Sequence, residues 1–255
     1  MKTVKKANKV IVLGGSSGIG KATAERFAAE GWEVLIGSHD LENAKKVSAN
    51  LIGTGHKAYK LDVRSEKDIK SFRDKVKKDF GTYQVLVNSV GVSEGHHSIE
   101  SDFTKWDNAI QVMLYGSVKI CRALVPLMED GGRVINITSI HHDRVAQGSS
   151  AYGMAKAAIT QFTRSLALEL APRNILANAI APGFVNTPMS IKKDGKNELN
   201  SKWFKDNYIK YGHLPLKRAG EPKEIAGTVY FLAGPDATYI TGSIITIDGG
   251  LTITF

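Results

Sequence analysis

A chain of 255 residues, 42% apolar and 23% charged, carries enough apolar material for one packed α/β domain and too much to remain disordered. Its 34 basic and 25 acidic residues leave a formal charge of +9. The lysines lie in mixed stretches, Lys2 to Lys9, Lys67 to Lys78 and Lys192 to Lys205, with no arginine-rich or aromatic-interleaved stripe, which argues against a nucleic-acid partner.

Cys121 is the single cysteine, so no intrachain disulfide forms, as suits a reducing compartment. The apolar run near the start is too short for a signal peptide, and no run approaches the ~20 apolar residues of a membrane helix. The expectation is a soluble cytoplasmic protein with no membrane partner.

Short apolar runs alternate with helical patterns along nearly the whole chain. Val10 to Leu13 reads as a buried strand, Gly18 to Glu30 as a helix, Val34 to Ile36 as a second strand and Leu41 to Leu51 as a second helix. Ala58 to Leu61, Val85 to Val87, Val134 to Thr138, Leu176 to Ile180 and Ser243 to Ile247 continue the strand series. Helical patterns fall at Ser65 to Lys78, Lys105 to Met128, Ala151 to Leu170 and Lys223 to Leu232.

Strands that read as continuous Val/Ile/Leu runs are buried on both faces, and strand–helix alternation builds a parallel sheet with helices on either side. The pattern predicts one doubly wound α/β domain over residues 1–255, with about seven parallel strands. The stretch 188–212 breaks the rhythm. It is polar and lysine-rich, carries Trp203, Phe204, Tyr208 and Tyr211, and is expected to form an inserted lid.

The first strand runs into VIVLGGSSGIGKATAERFAAEG, with Gly14, Gly18 and Gly20 at the strand-to-helix turn. One glycine permits the tight turn, one lets backbone approach a phosphate, and one lets the helix pack on the sheet. The helix N-terminus then offers free N–H groups and a dipole to a pyrophosphate. This is the Rossmann arrangement, and Ser16, Ser17 and Ile19 share the loop.

Farther along, SSAYGMAKAA places Tyr152 and Lys156 four apart on one helical face, with Ser139 thirteen residues before the tyrosine. A phenol serves as proton donor or, as phenolate, as acceptor; a nearby cation favours the phenolate. A serine hydroxyl, as at Ser139, can hydrogen-bond an oxygen.

The G-x-x-x-G-x-G loop and the Ser…Tyr-x-x-x-Lys set together resemble the short-chain dehydrogenase/reductase family. The match extends from about Lys9 to Gly250, through NAIAPGFVNTPM and the ending RAGEPKEIAGTVYFLAGPDATYITGSIITIDGG. The resemblance implies an NAD(P)-dependent oxidoreductase that interconverts a carbonyl and a secondary alcohol, with Ser139, Tyr152 and Lys156 as catalytic residues. Tyr152 would exchange the proton, and Lys156 would also hold the nicotinamide ribose. The relatives it looks most like are 3-oxoacyl-carrier-protein reductases and sugar or polyol dehydrogenases, and the family implies a homotetramer.

The family's cofactor positions fall on Gly14, Ser16, Ser17, Gly18 and Ile19 in the loop. Ser38 and His39 end the second strand, where an acid would accept from the 2′-hydroxyl of NAD. A serine there tilts the expectation toward NADP(H) over NAD(H), although Ser38 to Asp40 also suits a plain helix cap. Asp62 and Val63 match an adenine clamp, Asn88 and Gly91 a ribose-side support, and Pro182, Gly183, Val185 and Thr187 the nicotinamide-side turn.

Three departures stand out. Leu13 occupies the usual threonine position. Ser89 and Val90 replace the middle of an Asn-Asn-Ala-Gly pattern. Met113, in WDNAIQVMLYG, occupies the place of an asparagine that holds a proton-relay water. The last departure opens an alternative: a cofactor-binding sensor or scaffold with weak turnover. The pairs His96-His97 and His141-His142 read as lining for the substrate mouth, and no metal site is expected.

Overall fold

Seven short hydrophobic runs become seven parallel strands of one sheet: β1 (Lys9–Leu13), β2 (Glu33–Ser38), β3 (Lys57–Lys60), β4 (Tyr83–Asn88), β5 (Met128–Ile137), β6 (Leu176–Pro182) and β7 (Ile244–Ile247). Their spatial order is β3-β2-β1-β4-β5-β6-β7. The structure is a computed structural model that describes residues 7–93, 97–192 and 194–254. The direction of winding reverses between β1 and β4, which pair in parallel with Leu13 opposite Asn88. In open α/β sheets that switch point opens a crevice at the strands' carboxyl ends, where ligands bind.

The period-two alternation of each strand sorts its side chains between two cores. Ile11, Leu13, Leu35 and Leu86 face one layer. Val10, Val12, Val34, Ile36, Val85 and Val87 face the other. On the second face lie α1 (Gly18–Ala29), α2 (Leu41–Ala49) and α8 (Pro222–Ala233), whose buried residues join that cluster. Phe27 of α1 meets Trp32 and Tyr230 edge-on at 5.1 and 5.2 Å, fixing α1 against α8. Full burial of such a ring contributes about 2 to 3 kcal/mol.

On the first face lie α3 (Glu66–Lys75), α4 (Phe103–Ala109), α5 (Gly116–Leu124) and α6 (Ser150–Leu170). The single helix expected from Lys105 to Met128 is not uniform. A wide π-type turn over Ile110–Tyr115 separates α4 from α5, and a tight turn over Val125–Leu127 ends the stretch. Met128 itself opens β5 instead of closing the helix. It pairs with Tyr83, and the register then shifts so that Val85 faces Arg133; Gly131, at φ +80°, lies inside the irregularity.

By length and composition the continuous stretch 103–127 is apolar enough to cross a membrane, contrary to the expectation that no run was. Its apolar residues Ala109, Val112, Met113, Ile120, Cys121 and Leu124 sit in the core beneath the sheet.

The segment 188–212 packs around a small third core that it shares with residues on either side. It includes α7 (Lys202–Phe204) and a wide turn over Lys205–Lys210. Leu199, Phe204 and Leu214 pack with Phe184, Tyr208, Ile209, Ala219 and Leu251. Phe204 and Tyr208, expected in a lid over the ligand, are thus packed into this core against Phe184. Trp203 and Tyr211 remain exposed.

Candidate active site at the carboxyl edge of the sheet

The turn after β1 is built for close backbone approach. Gly14 has φ +74°, and a Cβ there would stand 2.7 Å from the Ser89 carbonyl oxygen. A Cβ on Gly20 would meet the Gly14 carbonyl oxygen at 2.2 Å, so α1 can leave the turn at this angle only with glycine there. Ser17 is the N-cap of α1, yet its side chain makes no capping bond, and the first turn holds no acid. The positive end of the helix is therefore not neutralised within the helix, which suits an anion.

Thr187 lies against this loop: its Cβ would be 3.3 Å from a Cβ on Gly18. The loop after β6 and the loop after β1 thus face each other across the switch point. A turn that admits no side chain at Gly14 or Gly20, an uncapped helix N-terminus and Thr187 beside Gly18 fit the pyrophosphate of a dinucleotide.

At the adenosine end, Ser38 is buried and its hydroxyl hydrogen-bonds that of Ser16 at 2.9 Å. The Asp40 N–H donates to Ser38 Oγ at 3.1 Å. Asp40 caps α2 by accepting from the Asn43 N–H at 3.0 Å, while Asn43 Nδ2 donates to the Ser16 carbonyl at 2.8 Å. The capping reading of this stretch therefore holds for Asp40, and Ser38 turns inward toward the glycine loop. His39 is exposed beside it. Asp62 follows β3, next to the end of β2, because the Leu61 N–H donates to the Ser38 carbonyl at 2.8 Å. Val63 is buried against α5.

The proposed proton-transfer residues converge at the ends of β5 and α6. Ser139 is buried, its Oγ accepts from the His141 N–H at 3.2 Å, and its side chain acts to lower the Tyr152 pKa. Lys156, one turn beyond Tyr152, is 3% exposed and donates to the Ile137 carbonyl at 2.9 Å. Its Nζ lies 5.6 Å from the Tyr152 ring centre and close to Gly91, where a Cβ would be 3.7 Å away.

Burial pushes the Lys156 ammonium down to about 8. Burial also raises the Tyr152 phenol, while the Ser139 side chain acts in the opposite direction. The sequence argument expects a neighbouring ammonium to depress the phenol; in the protein alone desolvation is the larger influence.

A buried polar chain, of which the sequence reading named only Asn88, braces these strand ends. Asn88 Nδ2 donates to Ser117 Oγ at 2.9 Å and to Asn136 Oδ1 at 3.3 Å; Asn136 Nδ2 donates to Thr163 Oγ1 at 2.9 Å. The chain ties β4 and β5 to α5 and α6. Trp106 Nε1 also donates to Ser150 Oγ at 2.8 Å, pinning the start of α6. Asn88 was expected from the family pattern; for Ser117, Asn136 and Thr163 the sequence signal was only polarity inside strand and helix cores.

Met113 is fully buried in the wide turn and joins Ala151 and Ala155 of α6 in the core. A thioether prefers that apolar surrounding. Pro182 closes β6, and Gly183 follows it with its N–H donating to the Ile247 carbonyl at 3.0 Å. Val185 bridges Gly220 through the Asn186 N–H and the Phe184 carbonyl.

His141 stands edge-on to Tyr152 at 5.7 Å between ring centres. Its Nδ1 is buried with no hydrogen-bond partner among the described residues, and burial lowers its pKa. His96 lies outside the described residues. Among the described residues no three His, Cys, Asp or Glu side chains cluster as metal ligands would.

Comparison with known proteins agrees with this geometry. The family model described as Enoyl-(Acyl carrier protein) reductase matches residues 14–252. A 3-oxoacyl-[acyl-carrier-protein] reductase of Thermotoga maritima is 35% identical over 247 residues, covering 95% of this chain and 97% of the relative. A 7alpha-hydroxysteroid dehydrogenase of Bacteroides fragilis is 34% identical over 259 residues, covering 96% and 95%. The ligand-free aldohexose dehydrogenase of Thermoplasma acidophilum superposes with a TM-score of 0.84 at 31% identity, covering 98% of this chain and 96% of the other.

Nothing in these similarities supports the sensor or scaffold alternative. With its doubly wound sheet, glycine loop and reductase and dehydrogenase relatives, the chain is an NAD(P)-dependent oxidoreductase that belongs to the short-chain dehydrogenase/reductase family.

Proposed function

We propose that the enzyme interconverts a carbonyl and a secondary alcohol, with Tyr152 exchanging the proton at the substrate oxygen and NADP(H) preferred over NAD(H). The observation that carries this reading is the meeting of buried Ser139 and Lys156 with Tyr152, the Lys156 Nζ lying 5.6 Å from the tyrosine ring centre one helical turn away. A nicotinamide bound here supplies or accepts the hydride. Ser139 holds the substrate oxygen, and Tyr152, protonated at neutral pH because burial raises its pKa, gives its proton as that oxygen gains charge.

Lys156, at about 8, can carry a positive charge when the phenolate forms and can release a proton near neutrality. With Met113 at the relay position, a side-chain amide is not available to hold water there. The reading keeps catalysis intact and expects an altered route for the proton to solvent.

The reading includes the cofactor contacts proposed for Gly14, Ser16, Ser17, Gly18, Ile19, Asp62, Val63, Asn88, Gly91, Pro182, Gly183, Val185 and Thr187. Ser38 favours NADP(H) because it lacks the acid that would repel a 2′-phosphate, and His39 stands exposed next to it. The cap over 188–212 closes on substrate. Met189 supports this, since its Cε would lie 3.8 Å from a Cβ on Gly91.

His141 lines the substrate mouth as a neutral imidazole and suits a polar, hydroxyl-bearing substrate. The named relatives act on an oxoacyl group, a hydroxysteroid and an aldohexose, which share carbonyl–alcohol chemistry at carbon. A cytoplasmic homotetramer completes the reading: β7 is a sheet edge, and Phe231 and Tyr239 near it are exposed.

The test is a panel of oxoesters, ketosteroids and sugars with their alcohols, each assayed with NADPH or NADH and their oxidised forms at equal concentration. Turnover of at least one pair with faster rates for the phosphorylated cofactor is expected. No turnover of any member, or a clear NAD preference, contradicts the corresponding part.

A further inference from the structure

The Asp62 carboxylate is gripped by a side chain that the reading above does not use. Arg64 Nε donates to Asp62 Oδ1 at 3.1 Å and Arg64 Nη2 to Oδ2 at 2.9 Å. The backbone N–H of Arg64 donates to Oδ1 at 2.9 Å. The far side of the guanidinium is fastened too, since Nη1 donates to Asn108 Oδ1 on α4 at 3.2 Å.

An exposed ion pair between near neighbours contributes little to stability. This one differs in geometry. A planar fork engages both carboxylate oxygens, and a second element of the fold holds the fork. The consequence is orientation of the carboxylate. Adenine offers an exocyclic amine donor; hypoxanthine offers a carbonyl acceptor at the same place. An ionised carboxylate with a fixed orientation accepts from the first and repels the second.

We infer that Arg64 is a positioning residue that fixes the Asp62 carboxylate so that the site reads the exocyclic amine of the adenine ring. The inference rests on the reading of Asp62 as the adenine contact. Arg64 also keeps that carboxyl below its ordinary range, chiefly by the side-chain hydrogen bond, so the acceptor stays ionised.

Equilibrium binding tests this without turnover. Wild type, Arg64→Ala, Arg64→Lys and Asp62→Ala are titrated with NADP+ and with its hypoxanthine analogue, following intrinsic tryptophan fluorescence. Wild type binds the adenine form about tenfold or more tightly, as expected for a hydrogen bond to a charged acceptor. Asp62→Ala brings the ratio near one.

Arg64→Ala lowers the ratio at least about threefold, and Arg64→Lys, which restores charge without the fork, recovers part of it. A merely structural role would weaken both dinucleotides equally and leave the ratio unmoved. A wild-type ratio in Arg64→Ala, with a lowered ratio in Asp62→Ala, overturns the role of Arg64 alone. An unchanged ratio in Asp62→Ala overturns the Asp62 reading and the inference with it.

Discussion

Replacing Lys156 by methionine should stabilise the cofactor-free protein at neutral pH and remove one specific pH dependence. Lys156 is 3% exposed, and burial brings its ammonium from an ordinary 10.5 to about 8. The gap between those values corresponds to about 3 kcal/mol that the charge costs the fold when both states are protonated. The folded protein releases this proton first.

Between about pH 8 and 10.5 the unfolded chain therefore binds more protons, and stability rises with pH through that window. The cost is fully present below pH 8 and fades above it. Methionine fills a similar volume without a charge. Urea unfolding of both proteins at pH 7 and pH 9 isolates the effect. The advantage of Lys156→Met should be about 2 to 3 kcal/mol at pH 7 and smaller by about 1 kcal/mol at pH 9. A variant that is no more stable than wild type at pH 7, with the same stability difference at pH 7 and pH 9, would refute the argument.

Three further outcomes follow from the site. If Ser38 stands at the 2′ position as proposed, Ser38→Asp should weaken NADP+ binding at least about tenfold and leave or improve NAD+ binding, because a carboxylate there repels the 2′-phosphate; competitive titration reads both. Gly20→Ala should abolish measurable dinucleotide binding and lower the unfolding free energy by about 2 kcal/mol or more, since the new Cβ meets the Gly14 carbonyl at 2.2 Å. Met113→Asn should change the pH–rate profile if a side-chain amide restores the relay; an unchanged profile with about 1 to 3 kcal/mol lost stability would mark it as only a buried polar group.

The sheet was legible because most of its strands are short continuous apolar runs that bury both faces. Val10 and Val12 go to one core and Ile11 and Leu13 to the other. The glycine turn was legible because its demands are local: Gly20 is required by the Gly14 carbonyl six residues earlier, and Gly14 by its own φ of +74°. What the sequence hid depends on distant partners. Met128 reads as the end of a helix, and it becomes a strand only by pairing with Tyr83.

Asn136 and Thr163 look like isolated polar residues until α6 is laid on β5. Phe204 and Tyr208 look like covers for a ligand until Phe184 meets them at 5.0 and 4.7 Å. The spacing of Tyr152 and Lys156 was plain, but the balance of burial against charge at the phenol follows from the packed environment alone.

The central claim is that Tyr152 transfers the proton, and Tyr152→Phe tests it most directly. With the carbonyl compound that the wild type reduces fastest, kcat/KM should fall by about 10² to 10⁴, the usual share of a general acid. Cofactor affinity should stay within about threefold, since the ring and its packing remain. Activity within about tenfold of wild type, with cofactor affinity unchanged, would show that another group carries the proton.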